Sequence, residues 1–400
     1  MTVTETKQAW GDFSISLVPD TPSSIITSLN HAWWSIIRVT KDHTELATVN
    51  ASRSGDLFAG VMIKRPDRLT MSGHSVTMYL GANSDSKELH SEEVGPFSSS
   101  TPIAFDGTSA GTLADWVNHI VTNMGCVLSL GMTPTTPWGS ATKIGGIFIR
   151  KPPKTLLDTW ICPTFGVGYR VNTNLTLDVG MASDLWPVPS VPPLAIARGG
   201  RDMGTPITLD ATELSLEVSY EDWCGRALVN VEAPAVVGLA TNPISVGNPK
   251  TGYPNTMLWN KLINGAESSQ STAALAQAEA DRLAAVVLAN AVKTQSVNVS
   301  TAEYDVTANV QPGDTIGVFD IDEGLFDQTN AQQYRGRWTW PVRLTVAEVQ
   351  WPIREGMGVY LDNRHNDGST TVVDLTDFVA WESGDTTLTV GAPPKTLANR

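Results

Sequence analysis

Cysteine is nearly absent: the 400 residues contain three, Cys126, Cys162 and Cys224. Far apart and odd in number, they exclude a disulfide framework and offer no zinc-ligand spacing. Positive charge is also scarce, with 27 Lys and Arg against 41 Asp and Glu and a net charge of −14. A surface that holds nucleic acid needs clustered cations, so this balance argues against one. It is compatible with a wall that lets nucleic acid pass, because like charge prevents sticking. No apolar run approaches membrane-spanning length, and residues 1–11 are polar, without the apolar core of a signal peptide. The expectation is a chain made in the cytosol that stays soluble. The six histidines are scattered, without the i,i+4 pairs of a helical zinc site, so neither a metal nor a cofactor is expected.

What the chain has in quantity is turn chemistry, 33 Gly and 24 Pro, with an apolar content of 41% that is ample for globular folding. Its length suggests two to four domains. One stretch organises the rest. Ser268, Ser269, Ser271 and Thr272 offer oxygens to cap a starting helix, and residues 273–292 are mostly Ala with Leu275, Leu283, Val286 and Val287. Large side chains are few, which suits a helix lying close against a partner surface. The period then changes to alternation: Val297, Val299 and Thr301 share a face, then Val306, Ala308 and Val310. Pro312-Gly313 turns the chain, and Ile316 and Val318 resume the alternation up to Asp320.

Before this stretch, residues 12–105 read as β: Phe13, Ile15 and Leu17 alternate, residues 34–40 and 57–64 are β-rich, and Val76, Met78 and Leu80 alternate up to Gly81. Such spacing suggests a small barrel or sandwich. Thr112 with Asp115 is a capping-box pattern that opens a helix with Leu113, Trp116, Val117, Ile120, Val121 and Met124 on one face. Thr155 with Asp158 opens a second, ended by Gly166, with a strand at 146–150 between them. Tyr169 and Val171, then Leu175, Leu177 and Val179, form a hairpin over Asn172-Thr173-Asn174. After a stiff connector at 187–193, strands resume at 207–209, 214–218 and 227–231. Residues 236–266, rich in Gly, Asn and Pro, show no periodicity and read as a long functional or mobile loop. Strands at 343–349 and 357–361 follow, and residues 370–390 read as one more hairpin before a polar tail.

Three groups of residues carry candidate chemistry. Gly107-Thr108-Ser109-Ala110-Gly111 matches the nucleophile-elbow pattern, but the βαβ repeats of a hydrolase are missing and His365 is the only late histidine. Ser109 therefore reads as part of a flexible loop before the Thr112 cap. Asp320, Asp322, Glu323 and Asp327 cluster near Gly324 without the ligand spacing of a calcium loop, and a solvated loop tip is the favoured reading. They would be the acids of a carbohydrate hydrolase, if the chain were an enzyme. Trp33, Trp34, Trp338 and Trp340 belong to a large set of 13 Trp, which either stack on cell-wall glycans or serve as core and interface anchors.

Residues 156–180, LLDTWICPTFGVGYRVNTNLTLDVG, residues 217–231, EVSYEDWCGRALVNV, the Ala-rich helix and the run VQPGDTIGVFD at 310–320 stand in a particular order. That order resembles the minor tail proteins of long-tailed (siphovirus) actinobacteriophages, specifically those similar to tail-tip, or baseplate, hub proteins. The resemblance covers residues 13–362 and is specific as a series, while no single motif in it is a chemical signature.

It implies a β-rich α+β fold with two tail-tube-like β-barrel domains and inserted α+β segments. The first barrel would be residues 1–105 and the second 206–235 with 295–361. The insertions would be 106–205 and the loop plus helix at 236–294, leaving 362–400 as a C-terminal hairpin and tail. The resemblance further implies no enzymatic activity and a homotrimer that closes the tail tube and adapts six-fold to three-fold symmetry. Its neighbours would be a distal tail ring protein, a tape measure protein and other tail-tip or fibre proteins. During genome ejection, double-stranded DNA would pass without specific binding, along a lumen walled by acids such as Glu217, Glu221, Asp305 and Asp314. No lysin-type domain follows, which implies a hub that does not cut cell wall. The alternative readings are a peripheral tail protein binding glycans and a carbohydrate hydrolase.

Overall fold

Phe13 and Ile15 alternate with polar neighbours, and in the computed structural model both are buried on one face of a strand that Leu17 continues. The structure describes residues 2–7, 10–30, 32, 35–51, 56–81, 113–123, 128–132, 153–186, 194–197, 207–219, 226–232, 235–241, 260–266, 273–290, 294–302, 309–319, 333–334, 337–338, 342–364 and 370–391.

In chain order, β1 (Thr2–Thr6), β2 (Asp12–Ser16), α1 (Ser23–Asn30), β3 (Ile36–Thr40), α2 (Leu46–Ala51), β4 (Asp56–Lys64) and β5 (Thr70–Ser75) come first. A helical unit follows with α3 (Leu113–Asn123), β6 (Ser129–Leu130), α4 (Pro153–Leu156), a π turn (Leu157–Ile161), α5 (Cys162–Phe165), β7 (Gly168–Val171), β8 (Thr176–Gly180) and α6 (Ala182–Leu185). Next are β9 (Leu194–Ala197), β10 (Ile207–Asp210), β11 (Glu213–Ser219), β12 (Arg226–Glu232), β13 (Ala235–Thr241), β14 (Asn260–Ala266) and α7 (Ala273–Asn290). The chain continues with β15 (Thr294–Thr301), β16 (Thr315–Val318), β17 (Gln333–Tyr334), β18 (Arg337–Trp338), β19 (Val342–Pro352), β20 (Gly358–Arg364), β21 (Thr370–Asp374) and β22 (Thr386–Gly391).

Fourteen of these strands form one connected sheet, and β19 is its hinge. Along one edge of β19, residues 342–345 pair with β16 and 348–352 pair with β1; residues 345–350 also pair with β22, along the other edge. A bulge between Val346 and Glu348 shifts the register, so the buried side chains change from Leu344 and Val346 to Val349 and Trp351 without the strand leaving the core. Two seven-strand groups diverge from this hinge. The first runs β1-β2-β5-β4-β3-β20-β21, and the second runs β10-β9-β16-β19-β22-β15-β11. One contiguous buried cluster serves both, from Phe13 and Phe58 to Val297 and Val390.

In each group the far end of the strand path is drawn back toward its beginning. In the first, the chain after β21 returns to β2 through a bridge between Leu17 and Val379, flanked by Val18 N–H to Phe378 O at 2.8 Å. In the second, β10 and β11 are joined by Ala211-Thr212, whose amides donate to Ala197 O of β9 and to Ser300 O of β15 at 2.9 and 2.8 Å. Among the described residues no full ladder closes either group into a barrel. The chain is sheet-rich with few helices.

The strands β3 and β4 are buried on both faces. Ile37, Val39 and Phe58 enter the main core, while Ile36, Ala59 and Val61 meet a second cluster with Trp116 and Ile120 of α3, Phe165 and Leu177. This explains their unbroken apolar runs. Val76, Met78 and Leu80 do not form the expected strand. They lie in a 3₁₀ turn (Val76–Leu80), buried on more than one side, and Gly81 closes it at φ 75° with its N–H on Met78 O. The strand ends at Ser75, where Ser75 N–H donates to Gly11 O at 2.7 Å and its Oγ accepts from Gly11 N–H at 3.0 Å.

Three further expectations are corrected. Residues 236–266 are not a loop throughout, because β13 and β14 flank β12 in a separate three-stranded sheet. Residues 370–390 are not a hairpin: β21 pairs with β20, and β22 with β15 and β19. The second-barrel strands at 226–231 instead pair with β13 and β14. The long helix behaves as its composition requires. Ala276, Ala280 and Ala284 are fully buried against β12 and β13. The approach is so close that a Cβ on Gly238 would fall 2.0 Å from Ala280 O. Gln277 Nε2 donates to Val237 O at 2.7 Å and Leu239 N–H donates to Asp281 Oδ1 at 3.1 Å. These side chains occupy polar groups on the outer edge of β13, which would otherwise template another strand.

Candidate functional site

The hairpin β7–β8 is positioned by its turn. Asn172 N–H donates to Thr176 O and Leu175 N–H to Asn172 O, both at 2.9 Å, with Leu175 at φ 65°. A left-handed Leu is uncommon, and burial of its side chain in the second core offsets that strain. The turn presents Asn172, Thr173 and Asn174 to a cavity of about 240 Å³ at the meeting of three parts of the fold. Lys7 and Trp351 come from the hinge side, Leu57 and Thr77 from the first strand group, and Gln311-Pro312 from the turn before β16. Trp186, at the end of the helical unit, forms a wall.

Lys7 is the unusual group. Its N–H donates to Ala347 O at 2.9 Å, at the β19 bulge, which directs the side chain into the junction. The ammonium lies 4.0 Å from the centroid of the Trp186 ring. Such a contact contributes about 0.5–2 kcal/mol, depending on desolvation. Burial works against the charge and lowers the Lys7 pKa to about 8. Among the described residues Lys7 has no carboxylate partner.

The other charges are committed. Arg170 donates from Nη1 to Leu185 O and from Nη2 to Asp178 Oδ2, both at 3.1 Å. Asp178 also accepts from Asn172 Nδ2 at 2.8 Å and from Met132 N–H at 2.7 Å. Asp56, the one carboxylate on the lining, takes two bonds of 2.6 and 2.9 Å from Arg38. Two donors remain over: Trp186 Nε1 and Arg170 Nε are buried without a hydrogen-bond partner among the described residues. Asp314 lies beside the lining turn. Burial holds its carboxyl above the usual range, against the pull of Gln311 N–H at 2.7 Å and of Arg170.

Lys7 equips this arrangement to hold an anion, and among the described residues no acid and base on its lining are paired for proton transfer. Elsewhere, Tyr169 Oη donates to Asp158 Oδ1 at 2.9 Å and receives Lys154 Nζ at 3.0 Å. Burial, then Asp158, pushes the Tyr169 phenol far above its ordinary range. Burial likewise raises the Cys162 thiol far above its ordinary range, so it is unsuited to nucleophilic chemistry.

Of the residues singled out from the sequence, Ser109, Asp320, Asp322, Glu323, Asp327, His365, Trp33, Trp34, Trp340, Glu221 and Asp305 lie outside the described residues. Trp338 lies on β18, and Glu217 is exposed on β11. No ladder joins β11 to β16, which Asp314 precedes. Among the described residues no group of three His, Cys, Asp or Glu could hold a metal ion, and no helix is long and apolar enough to cross a membrane. Lys7, Arg170 and Trp186 were invisible as a site because they come from separate segments. The only local signal is a Lys continuing the β1 alternation.

No family model and no curated protein matches the chain. Three solved structures are similar to it over nearly its whole length. A tail protein from Neisseria meningitidis MC58 is 13% identical, with 98% of this chain and 90% of that one covered and a TM-score of 0.49. The 43 kDa tail protein of prophage MuSo2 from Shewanella oneidensis is 9% identical, with 99% and 94% covered and a TM-score of 0.48. The prophage tail protein gp18 from Listeria monocytogenes EGD-e is 11% identical, with 99% and 89% covered and a TM-score of 0.45.

Proposed function

We propose that the chain is a structural protein of a phage tail tip, a trimeric hub that closes the tail tube and forms part of the DNA conduit. The observation that carries this reading is the pairing of two seven-strand groups through β19, each with the far end of its path drawn back toward its beginning. Two tube-like units per chain would give three chains six such positions, the match needed between a six-fold tube and a three-fold tip. In this reading the first unit is β1–β5 with β20 and β21. The second is β9–β11, β15, β16, β19 and β22. The segments between them, 106–193 and 220–293, are insertions.

An exposed apolar row supports an assembled state. Leu228 pairs with Leu239 on one side and with Leu262 on the other, in line across the small sheet. Leu239 and Leu262 are 49% and 53% exposed, on the face opposite α7. A neighbouring distal ring, tape measure or fibre protein would meet such faces. The net charge of −14 supports an inner wall of acids and polar groups that repels the passing duplex within a Debye length of about 8 Å. Electron microscopy of the purified assembly tests the reading. A three-fold ring with six tube-like densities around a channel is the expected result; a compact monomer, or a channel lined by Lys and Arg, contradicts it.

A further inference from the structure

We propose that the junction cavity binds a small hydroxylated carboxylate, with the carboxylate on Lys7 Nζ and the hydroxyls at Asn172 and Asn174. Two observations converge. Lys7 and Arg170 are the cations on the lining and Asp56 its one carboxylate, while Arg170 is also paired with Asp178, and Arg38, which binds Asp56, also lies 3.6 Å from Asp362. The lining therefore carries one positive charge over, which suits one carboxylate better than a dianion. The indole beneath Lys7 is held by the turn at Gly313, so the ammonium rests on a fixed surface.

The size and remaining polarity narrow the ligand. About 240 Å³ admits a molecule of sugar-acid size and excludes a folded partner. Asn172 uses its Nδ2 on Thr176 and Asp178, and Asn174 uses its Oδ1 on Thr176. Asn172 Oδ1 and Asn174 Nδ2 are left as an acceptor and a donor for hydroxyl groups. A carboxylate beside Lys7 would also restore the charge stabilisation that burial removes.

The test is acetylation footprinting of the full chain by mass spectrometry, with glucuronic acid, glucose, acetate or inorganic phosphate present. Glucuronic acid is expected to slow acetylation of Lys7 by about tenfold or more at saturation, and acetate to protect more weakly, with Lys41 and Lys64 unchanged. Glucose should not protect. Calorimetry should show glucuronic acid binding that is lost in Lys7→Met and retained in Lys7→Arg. Equal protection by glucose, stronger protection by phosphate, no selective protection of Lys7, or binding that survives Lys7→Met would each overturn the proposal. If Lys7→Met does not fold, the footprint on the unaltered chain decides alone.

Discussion

The indole edge of Trp186 occupies the space that a side chain on Gly313 would need: a Cβ there falls 1.9 Å from both Cδ1 and Nε1 of Trp186. Gly313 sits at φ 100° in the turn that Asp314 N–H closes on Gln311 O at 3.0 Å. Gly313→Ala therefore meets a steric clash and a disfavoured backbone conformation together. It is expected to lower stability by about 3 kcal/mol or more, measured by chemical denaturation. A loss under about 0.5 kcal/mol would show that the turn and Trp186 are not packed as described.

Gly238 holds the long helix against the small sheet in the same way. Gly238→Ala should push α7 away, because its Cβ would fall 2.0 Å from Ala280 O. The expected outcome is faster amide exchange across residues 273–290, with little change in the first strand group. Unchanged protection of α7 would contradict the close approach.

Arg38 is 2% exposed, bonded to Asp56 and 3.6 Å from Asp362, itself 2% exposed. Removing the guanidinium leaves two buried carboxylates without it. Arg38→Met is expected to destabilise the chain by roughly 3–5 kcal/mol. A neutral effect in thermal unfolding would mean that the two acids find other partners or become protonated.

Much of this could be read from the sequence where the cause is local. The alternation at Phe13 and Ile15, the Pro312-Gly313 turn and the Ala-rich helix rest on side-chain period, fixed φ and helix propensity. The misreadings share a different cause. β13 carries apolar residues on both faces, since α7 covers one and Leu239 stands exposed on the other, so no period-two pattern marks it. β21 and β22 are neighbours in sequence, but each pairs with strands from elsewhere in the chain, which turn rules cannot reveal. The cavity depends on Lys7, Asn172, Trp186 and Gln311 meeting through tertiary structure, and no spacing encodes that.

Lys7 gives a pH dependence with a definite sign. Its folded pKa is about 8 against an ordinary value of 10.5. Between these values the unfolded chain binds more protons, so this group makes stability rise with pH. The burden is full below about pH 8 and gone above about 10.5. Lys7→Met should therefore stabilise the chain near pH 7 by about 1 kcal/mol after solvent screening and loss of the Trp186 contact, with the gain shrinking through that window. Paired unfolding curves at pH 7 and pH 10 check it; a gain independent of pH would contradict the buried charge.

The central claim, that this chain is a ring-forming hub, is tested most directly by native mass spectrometry of the purified protein. A dominant species at three times the chain mass of 42.9 kDa, at low-micromolar concentration, is the result the account predicts. A single species at the chain mass over the whole accessible concentration range would contradict it.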